Sequence, residues 1–456
     1  MLEQIKKRFI VSLLLFCLIL AVMTNYGCKI RNETEFSTNP ITFKNAIDLS
    51  NYQNEYLKIR DFKDDNFPIL SGFRGYDNIL LLGGGFEKKT DRWGLSGPGG
   101  TKEYDSLFIY DINQNKILKI IKYDEQDGFT MVFPVGINKD WIVYEEDDGN
   151  EFDPNFRFYV VNRNTNETKM VLERKKGSDK FFTKGENVPS RSGYAITFPH
   201  FFLHGDKLYM EILLSGSEVD MSVPFPTLPV ISDSIYEIDL KENNIKRIFH
   251  SLERYAEISD LYVNDHYIAF SMTGRDFKKM TTYSDIYLYS FKSKKVSKFT
   301  DSGVSETPVL TPDDWIIYQV WQPSELSLNG LTRPPYATGC FYNVIRPIDK
   351  KEPVFKVTVG QDKKDTYLYP YFCGMSPSGR FILFQSPLRI LDRKTNTITT
   401  LKGLPVGRLY QFPSDDTLVM IGDPNIPPEQ LGTEIHLWQW LYIVDFNKLL
   451  QMVGNE

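Results

Sequence analysis

One short pattern recurs along the chain: a polar turn followed at once by a strand of β-branched and aromatic residues. The clearest copies are Asn138–Tyr144, Asn264–Phe270 and Pro312–Tyr318, and four looser copies keep the same order. Repeats of roughly 40–50 residues that each hold several strands are typical of a β-propeller. The first aliphatic residues of the seven copies are Ile79, Ile142, Leu208, Ile268, Ile316, Ile382 and Leu418.

Each repeat predicts four strands. A sharper third-strand pattern follows the turn-and-strand unit, as in Ser106–Asp111 and Asp285–Ser290, and a polar turn then leads to a fourth strand. Asn, Asp and Lys at these turns favour left-handed backbone and local hydrogen bonds. We therefore expect an all-β chain in which residues 46–456 form a single seven-bladed propeller of four-stranded antiparallel blades. Six or eight blades are the alternatives.

Closure of the ring is predicted from the first strand that no repeat uses. An open ring would leave a bare strand edge. Glu55–Asp61 reads as a strand but precedes the first repeat, whereas the last repeat ends soon after Asp445. We expect this N-terminal strand to supply the outer strand of the seventh blade.

Two of the repeats resemble a known family. Met375–Phe384 is similar to the Ser-Pro-Asp-Gly core of TolB-type propeller repeats, with Ser378 in place of Asp. Leu310–Tyr318 is a second match, with Asp314 in place of Gly. The resemblance implies a propeller architecture of the kind found in bacterial envelope proteins. TolB-like propellers are typically six-bladed, and the count of seven repeats departs from that.

The N-terminus predicts export. A basic segment precedes an apolar run from Phe9 to Met23, which is the pattern of a secretory signal. The run ends at Gly27-Cys28, which resembles the bacterial lipoprotein box and implies acylation of Cys28. We expect residues 1–28 to be a lipoprotein signal peptide and residues 29–45 a tether, which places the protein in the cell envelope, membrane-anchored and extracytoplasmic. An ordinary signal peptide or an uncleaved anchor with a chance Cys is the alternative.

The charge and cysteine content of the chain restrict the classes of partner and of cross-link that we expect. Without residues 1–28 the basic residues number 50 and the acidic residues 58, a net charge of −8. Nucleic-acid binding requires a basic field, so we expect no nucleic-acid partner. Only Cys340 and Cys373 remain in the predicted domain. They form either one disulfide or two buried thiols, and their spacing does not decide between the two.

The long loops predict where a ligand binds. In a propeller, the loops from second to third strand and from fourth strand to the next blade share one face. Six long segments, including 83–105 and 321–339, belong to these two classes. Aromatic and Arg side chains in such loops suit the recognition of a protein or a polysaccharide. The candidate ligand-binding residues are Arg92, Trp93, Arg275, Trp321, Arg333 and Tyr336.

The remaining chemical signals are weaker. The acidic run Glu145–Asp153 reads as a loop that calcium would suit, although its spacing does not match an EF-hand. We otherwise expect no cofactor and no catalytic residues. The expected function is therefore non-catalytic binding of a protein or polymer in the envelope. A propeller-type polysaccharide lyase or another glycan-acting enzyme, using the same face, is the alternative.

Overall fold

The computed structural model of the chain consists of seven β-sheets arranged as the blades of one propeller, with a short C-terminal helix. It confirms the predicted all-β fold and the count of seven blades. The structure describes residues 42–43, 46–49, 57–61, 69–85, 106–123, 125–148, 155–175, 194–197, 200–216, 220–223, 229–277, 281–321, 341–349, 355–357, 371–385, 388–403, 409–422 and 440–453.

Blades 1 to 4 follow one another along the chain, each antiparallel throughout. Blade 1 consists of β4 (Ile69–Tyr76), β5 (Ile79–Gly85), β6 (Ser106–Asp111) and β7 (Lys116–Lys122). Blade 2 consists of β8 (Met131–Ile137), β9 (Trp141–Asp147), β10 (Phe156–Asn162) and β11 (Thr168–Arg174). Blade 3 has a divided first strand and consists of β12 (Tyr194–Thr197), β13 (Phe201–His204), β14 (Lys207–Gly216), β15 (Val230–Asp239) and β16 (Asn244–Ser251). Blade 4 consists of β17 (Ala256–Val263), β18 (Tyr267–Asp276), β19 (Thr281–Ser290) and β20 (Lys295–Lys298).

Blades 5 to 7 complete the ring. Blade 5 consists of β21 (Ser305–Leu310), β22 (Trp315–Trp321), β23 (Phe341–Pro347) and β24 (Phe355–Val357). Blade 6 consists of β25 (Tyr371–Met375), β26 (Phe381–Gln385), β27 (Arg389–Asp392) and β28 (Thr397–Lys402). Blade 7 consists of β29 (Leu409–Ser414), β30 (Thr417–Gly422), β31 (Trp440–Asp445) and an N-terminal strand, β3 (Leu57–Asp61).

The hydrophobic core is divided into seven clusters, and each cluster lies between two neighbouring blades. In β9, for example, Trp141 and Val143 pack towards blade 3, whereas Ile142 and Tyr144 pack towards blade 1. Successive side chains of a strand point to opposite faces of its sheet, so both faces of a blade are buried against its neighbours. This explains why the second strands read as continuous apolar runs rather than as alternating ones.

Polar residues at the third-to-fourth strand turns adopt the left-handed backbone that the sequence predicts. Asn115, Asn166, Asn243 and Asn396 each have a φ between 51° and 59°, and Lys294 has a φ of 58° at the same place in blade 4. Asn tolerates this conformation better than most residues, because its short polar side chain bonds the local backbone. The recurring Asn is therefore a structural feature of the repeat.

The predicted closure of the ring is confirmed. β3 pairs antiparallel with β31, with Leu57 opposite Val444 and Asp61 opposite Trp440. The N-terminal strand thus becomes the outer strand of the last blade, and both ends of the domain lie in one sheet.

The chain upstream of β3 also contacts the propeller. β1 (Thr42–Phe43) and β2 (Ile47–Asp48) pair in parallel with β28, the outer strand of blade 6. Leu49 follows them and is fully buried in the cluster between blades 6 and 7. β1 lies inside the segment 29–45 that the sequence predicts as a tether. Pairing with the propeller therefore begins no later than Thr42.

An α-helix, α1 (Phe446–Val453), follows β31 and packs Phe446 and Leu449 into the same cluster as Leu49. The sequence showed no helical period there, because eight residues are too few to establish one. Among the residues that the structure describes, no helix has the length and apolarity needed to cross a membrane.

The closure predicts a sharp difference between two double substitutions. Proline at both Lys58 and Ile59 removes two adjacent backbone donors, at least one of which faces β31, so we expect a loss of about 3 kcal/mol in unfolding free energy. Proline at both Asn32 and Glu33, in the predicted tether, should leave the melting temperature unchanged. Thermal unfolding followed by circular dichroism measures both variants. Equal melting temperatures would contradict the role of β3.

Candidate functional site

The long connections all leave the propeller on one side. Each of the six segments singled out in the sequence joins a second strand to a third, or a fourth strand to the first strand of the next blade. A seventh, residues 358–370 between β24 and β25, was missed by the sequence analysis. We call this side the long-loop face and the opposite side, which carries the first-to-second and third-to-fourth turns, the short-turn face.

Two of the six predicted ligand-binding residues lie within the described structure. Arg275, near the end of β18, and Trp321, the last residue of β22, are both on the long-loop face and both half-buried. Arg92, Trp93, Arg333 and Tyr336 lie outside the described residues, as do Cys28 and Cys340.

A hydrogen-bonded group at the junction of blades 3 and 4 forms the best-described part of the long-loop face. The carboxylate of Asp220 accepts hydrogen bonds from Arg254 and from the Tyr255 hydroxyl, both at 2.7 Å. The backbone N–H of Ser222 also donates to Asp220, at 2.9 Å. Bonds from Ser222 and Tyr255, together with the Arg254 charge, lower the pKa of Asp220 to about 2. Asp220 therefore stays ionised and holds both partners in place.

Two large apolar side chains lie exposed beside this group. Met221 is 74% exposed and Leu252 is 70% exposed, and each is next or near in sequence to a member of the Asp220 group. The ring of Tyr255 packs edge-on against Phe277, with centroids 4.7 Å apart. We refer to Asp220, Met221, Leu252, Arg254, Tyr255 and Phe277 as the rim. Sequence reasoning missed it, because its members come from three short stretches that only the fold brings together.

The two described site residues belong to blades 4 and 5, and Arg275 adjoins the rim. The backbone N–H of Arg275 donates to the carbonyl of Tyr255, at 3.1 Å. Trp321 donates its backbone N–H to Val304, at 2.9 Å, and its indole N–H to Glu306. Trp321 is thus a fixed, half-buried ring, and its removal would cost stability as well as contact surface.

Beneath this face, one repeat position carries buried polar residues in four consecutive blades. The position lies three residues after the first aliphatic residue of the second strand, and it therefore faces the next blade rather than the previous one. Its occupants are at most 4% exposed, and they are Glu145, Glu211, Ser271 and Gln319.

The occupant in blade 3 belongs to a pair of buried carboxyl groups. Glu211 is 3% exposed and Asp233, on β15, is fully buried. Asp233 accepts a hydrogen bond from the backbone N–H of Ile258 in blade 4, at 2.5 Å, and Glu211 accepts one from the backbone N–H of His200, at 3.2 Å. Burial raises the pKa of Asp233 to about 7, and burial together with the Asp233 charge raises the pKa of Glu211 well above its usual value. The pair therefore holds a proton at neutral pH.

The acidic run that the sequence assigned to a loop is, in its first part, a strand. Glu145, Glu146 and Asp147 form the end of β9 and are at most 5% exposed. Burial, and then the charge of Asp147, raises the pKa of Glu145 well above its usual value. The expectation of a loop is therefore wrong for these three residues, which form a buried strand end, and residues 149–153 lie outside the described structure. Pairing with β10 extends the strand through its acidic end.

The histidines of the described structure are dispersed. His204 bonds Asp265 at 2.8 Å, and His266 bonds Asp314 at 2.7 Å, both on the short-turn face. His250 bonds the Ser234 hydroxyl at 2.9 Å. Within the described ranges, no group of three or more His, Cys, Asp or Glu residues has the geometry to hold a metal ion.

Comparison with known proteins supports the fold. No protein-family model matches the chain, and no curated protein matches its sequence. An oligogalacturonate lyase in complex with manganese is 12% identical, with 86% of this chain and 94% of that chain covered and a TM-score of 0.50. The β-propeller domain of the Trilobed protease from Pyrococcus furiosus is 13% identical, with coverages of 83% and 93% and a TM-score of 0.46. TolB from Acinetobacter baumannii is 11% identical, with coverages of 90% and 85% and a TM-score of 0.35.

At such identities the likeness concerns the fold alone. The structure itself defines the class of the protein: a seven-bladed β-propeller of four-stranded antiparallel blades. The predicted class is therefore confirmed at the level of the fold, with one blade more than the six typical of TolB-like propellers.

The carboxyl pair makes stability depend on pH. Its pKa values in the folded protein lie above those of the unfolded chain, so its contribution is complete below about pH 4 and is lost as the pH rises through about 7. Glu211→Gln keeps a hydrogen-bonding group and removes one charge, and Gln319 occupies the same repeat position in blade 5. We expect the melting temperature of the wild type to fall more between pH 6 and pH 9 than that of the variant. Parallel curves of melting temperature against pH would refute the shared proton.

Proposed function

We propose that this protein is a lipid-anchored, extracytoplasmic propeller of the bacterial cell envelope. In this proposal it binds a protein or polymer ligand on the long-loop face and catalyses no reaction. The rim is the observation that carries the proposal. Met221 and Leu252 present apolar surface to solvent beside Arg254 and Tyr255, which Asp220 holds in one arrangement. Aromatic residues, Arg and Met are enriched in binding interfaces.

Preorganisation supports binding at the rim. A partner that binds does not have to order Arg254 and Tyr255, since both already bond Asp220. Less ordering cost on association means higher affinity for the same contacts. The exposed Met221 and Leu252 side chains would then be removed from water by the partner, which is the main favourable term in most associations.

An enzyme acting on a glycan is the second candidate, and the described structure supports it less. Glycosidic chemistry commonly uses a pair of carboxyl groups that contact the substrate. The carboxyl groups with strongly raised pKa values in the described part of the chain are Glu145, Glu211 and Asp233. All three are at most 4% exposed and lie between blades. A substrate would reach them only if the blades separated, so we assign these carboxyl groups to the packing between blades.

Substitution of the two exposed apolar residues tests binding. We expect Met221→Asp with Leu252→Asp to weaken capture of the ligand by about 30-fold, which corresponds to about 2 kcal/mol. Envelope extract and envelope polysaccharide are passed over immobilised wild type and variant, and the retained material is quantified by mass spectrometry and sugar analysis. Both side chains are largely exposed, so the melting temperature should not change.

Leu118→Asp is the matched control, because Leu118 is 48% exposed on β7, the outer strand of blade 1, away from the rim. It should retain the ligand at the wild-type level. Loss of capture in the control together with retention in the double variant would show that the ligand binds elsewhere.

Anchoring is tested at Cys28. We expect Cys28→Ala to move the protein from the membrane fraction to the soluble fraction after a salt wash, because the acyl chains supply the attachment. Incorporation of radioactive palmitate into wild type and its absence from the variant would complete the test. A variant that stays with the membrane after removal of its N-terminal segment would overturn the lipoprotein proposal.

A further inference from the structure

The N-terminal segment enters the propeller from a defined side. β28 begins at Thr397, directly after the third-to-fourth strand turn of blade 6, and ends at Lys402. Its start therefore lies at the short-turn face and its end at the long-loop face. The added strands run parallel to it, with Thr42 opposite Thr397 and Asp48 opposite Lys402. The chain consequently arrives at the short-turn face and runs along the blade towards the long-loop face.

The length of chain before Thr42 limits how the propeller faces its anchor. Thirteen residues separate Cys28 from Thr42, and thirteen residues span at most about 45 Å. The six residues of β28 extend over about 20 Å. If the long-loop face were turned to the membrane, nearly half of that reach would be used to pass the edge of blade 6.

We propose that the short-turn face lies against the membrane surface and that the long-loop face, with the rim, points away from it. This orientation rests on the proposed N-terminal anchoring. It holds equally for an acylated Cys28 and for an uncleaved apolar segment, because both attach the chain upstream of Thr42.

The short-turn face suits apposition to a flat surface. Its turns are short, and hydrogen bonds join them from blade to blade. The Asn138 amide donates to the carbonyl of Gly205 at 2.7 Å, and the Asn264 amide donates to Asp314 at 3.0 Å. The Arg393 guanidinium pairs with Asp313 at 2.7 Å. These bonds connect the turns of blades 2 and 3, of blades 4 and 5, and of blades 5 and 6.

The charge on this face is mixed. Exposed basic and acidic side chains alternate around its turns: Lys139, Lys241, Lys292, Lys294 and Lys394 on one side of the balance, and Asp77, Glu167, Glu242, Asp265 and Asp416 on the other. Such a surface has no strong field towards anionic lipid. The covalent connection therefore sets the orientation, and the orientation should persist when salt screens surface charge.

The two ends of β16 provide matched reporter positions in one blade. Glu242 is exposed in the turn before β16, on the short-turn face, and Leu252 is exposed directly after it, on the long-loop face. The eight residues of β16 separate these levels by about 27 Å. A fluorescent amino acid is incorporated at position 242 or at position 252 of the full-length chain, which leaves the cysteines intact. The membrane-attached protein is placed in phosphatidylcholine vesicles that carry an acceptor dye on the lipid headgroups.

We expect energy transfer to the headgroup acceptors to be about twofold or more greater from position 242 than from position 252, because of the separation along β16. The ratio should be the same at low and at high salt. Protein that floats with the vesicles but transfers equally from both positions, or more from position 252, overturns the orientation alone. Protein that fails to float would contradict the proposed anchoring and, with it, the orientation. Flotation therefore distinguishes the two failures.

A further variant tests whether the pairing of residues 42–49 with blade 6 causes the orientation. Replacement of residues 42–49 by a Gly-Ser sequence of equal length removes the pairing with β28 and the buried Leu49 side chain. The stretch between Cys28 and the first residue that pairs with the propeller then grows from 13 residues, before Thr42, to 28 residues, before Leu57. The variant should float as the wild type does, with a smaller difference between the two positions. An unchanged difference would show that the path along blade 6 does not orient the propeller.

Discussion

The structure depends on one constraint: every blade must bury both of its faces. A four-stranded sheet with apolar side chains on both sides is not stable alone, and each blade here supplies half of two hydrophobic clusters. Seven blades therefore generate seven clusters, and the arrangement is complete only when the last blade meets the first. Ring closure is consequently a requirement of the hydrophobic pattern.

The N-terminal strand meets this requirement in blade 7 and links distant parts of the chain. Because β3 pairs with β31, separation of the chain ends would expose an edge and disturb the clusters on both sides of the blade. The segment before β3 extends the same principle to blade 6, where β1 and β2 cover the outer strand. One stretch of about twenty residues thus closes the ring, protects an edge and, in our proposal, sets which face meets the membrane.

Polar groups that are buried between blades carry a desolvation cost that apolar residues would avoid. Glu211 and Asp233 are buried where other clusters hold aliphatic side chains, and burial favours their protonated form. Their backbone partners come from His200 and from Ile258 of the next blade. Buried pairs of this kind specify how two blades meet, because the hydrogen bonds form in only one register. Because Glu211 and Asp233 lose their shared proton as the pH rises, the contact between blades 3 and 4 then becomes less stable.

The sequence determined the fold because the repeat is local. A turn and the strand after it are contiguous in the chain. The sequence alone therefore predicts the seven copies, the four strands of each copy and the closing strand. The sequence also placed Arg275 and Trp321 on the long-loop face, since strand order alone sets which loops share a side. Other features depend on contacts between residues far apart in the chain. The rim unites Asp220, Leu252 and Phe277 from three connections, and the pairing of Thr42 with Thr397 spans most of the domain. The burial of Glu145 was equally hidden, because an acidic run has the same composition in a solvated loop as at the end of a strand, and only packing against blade 3 decides between them.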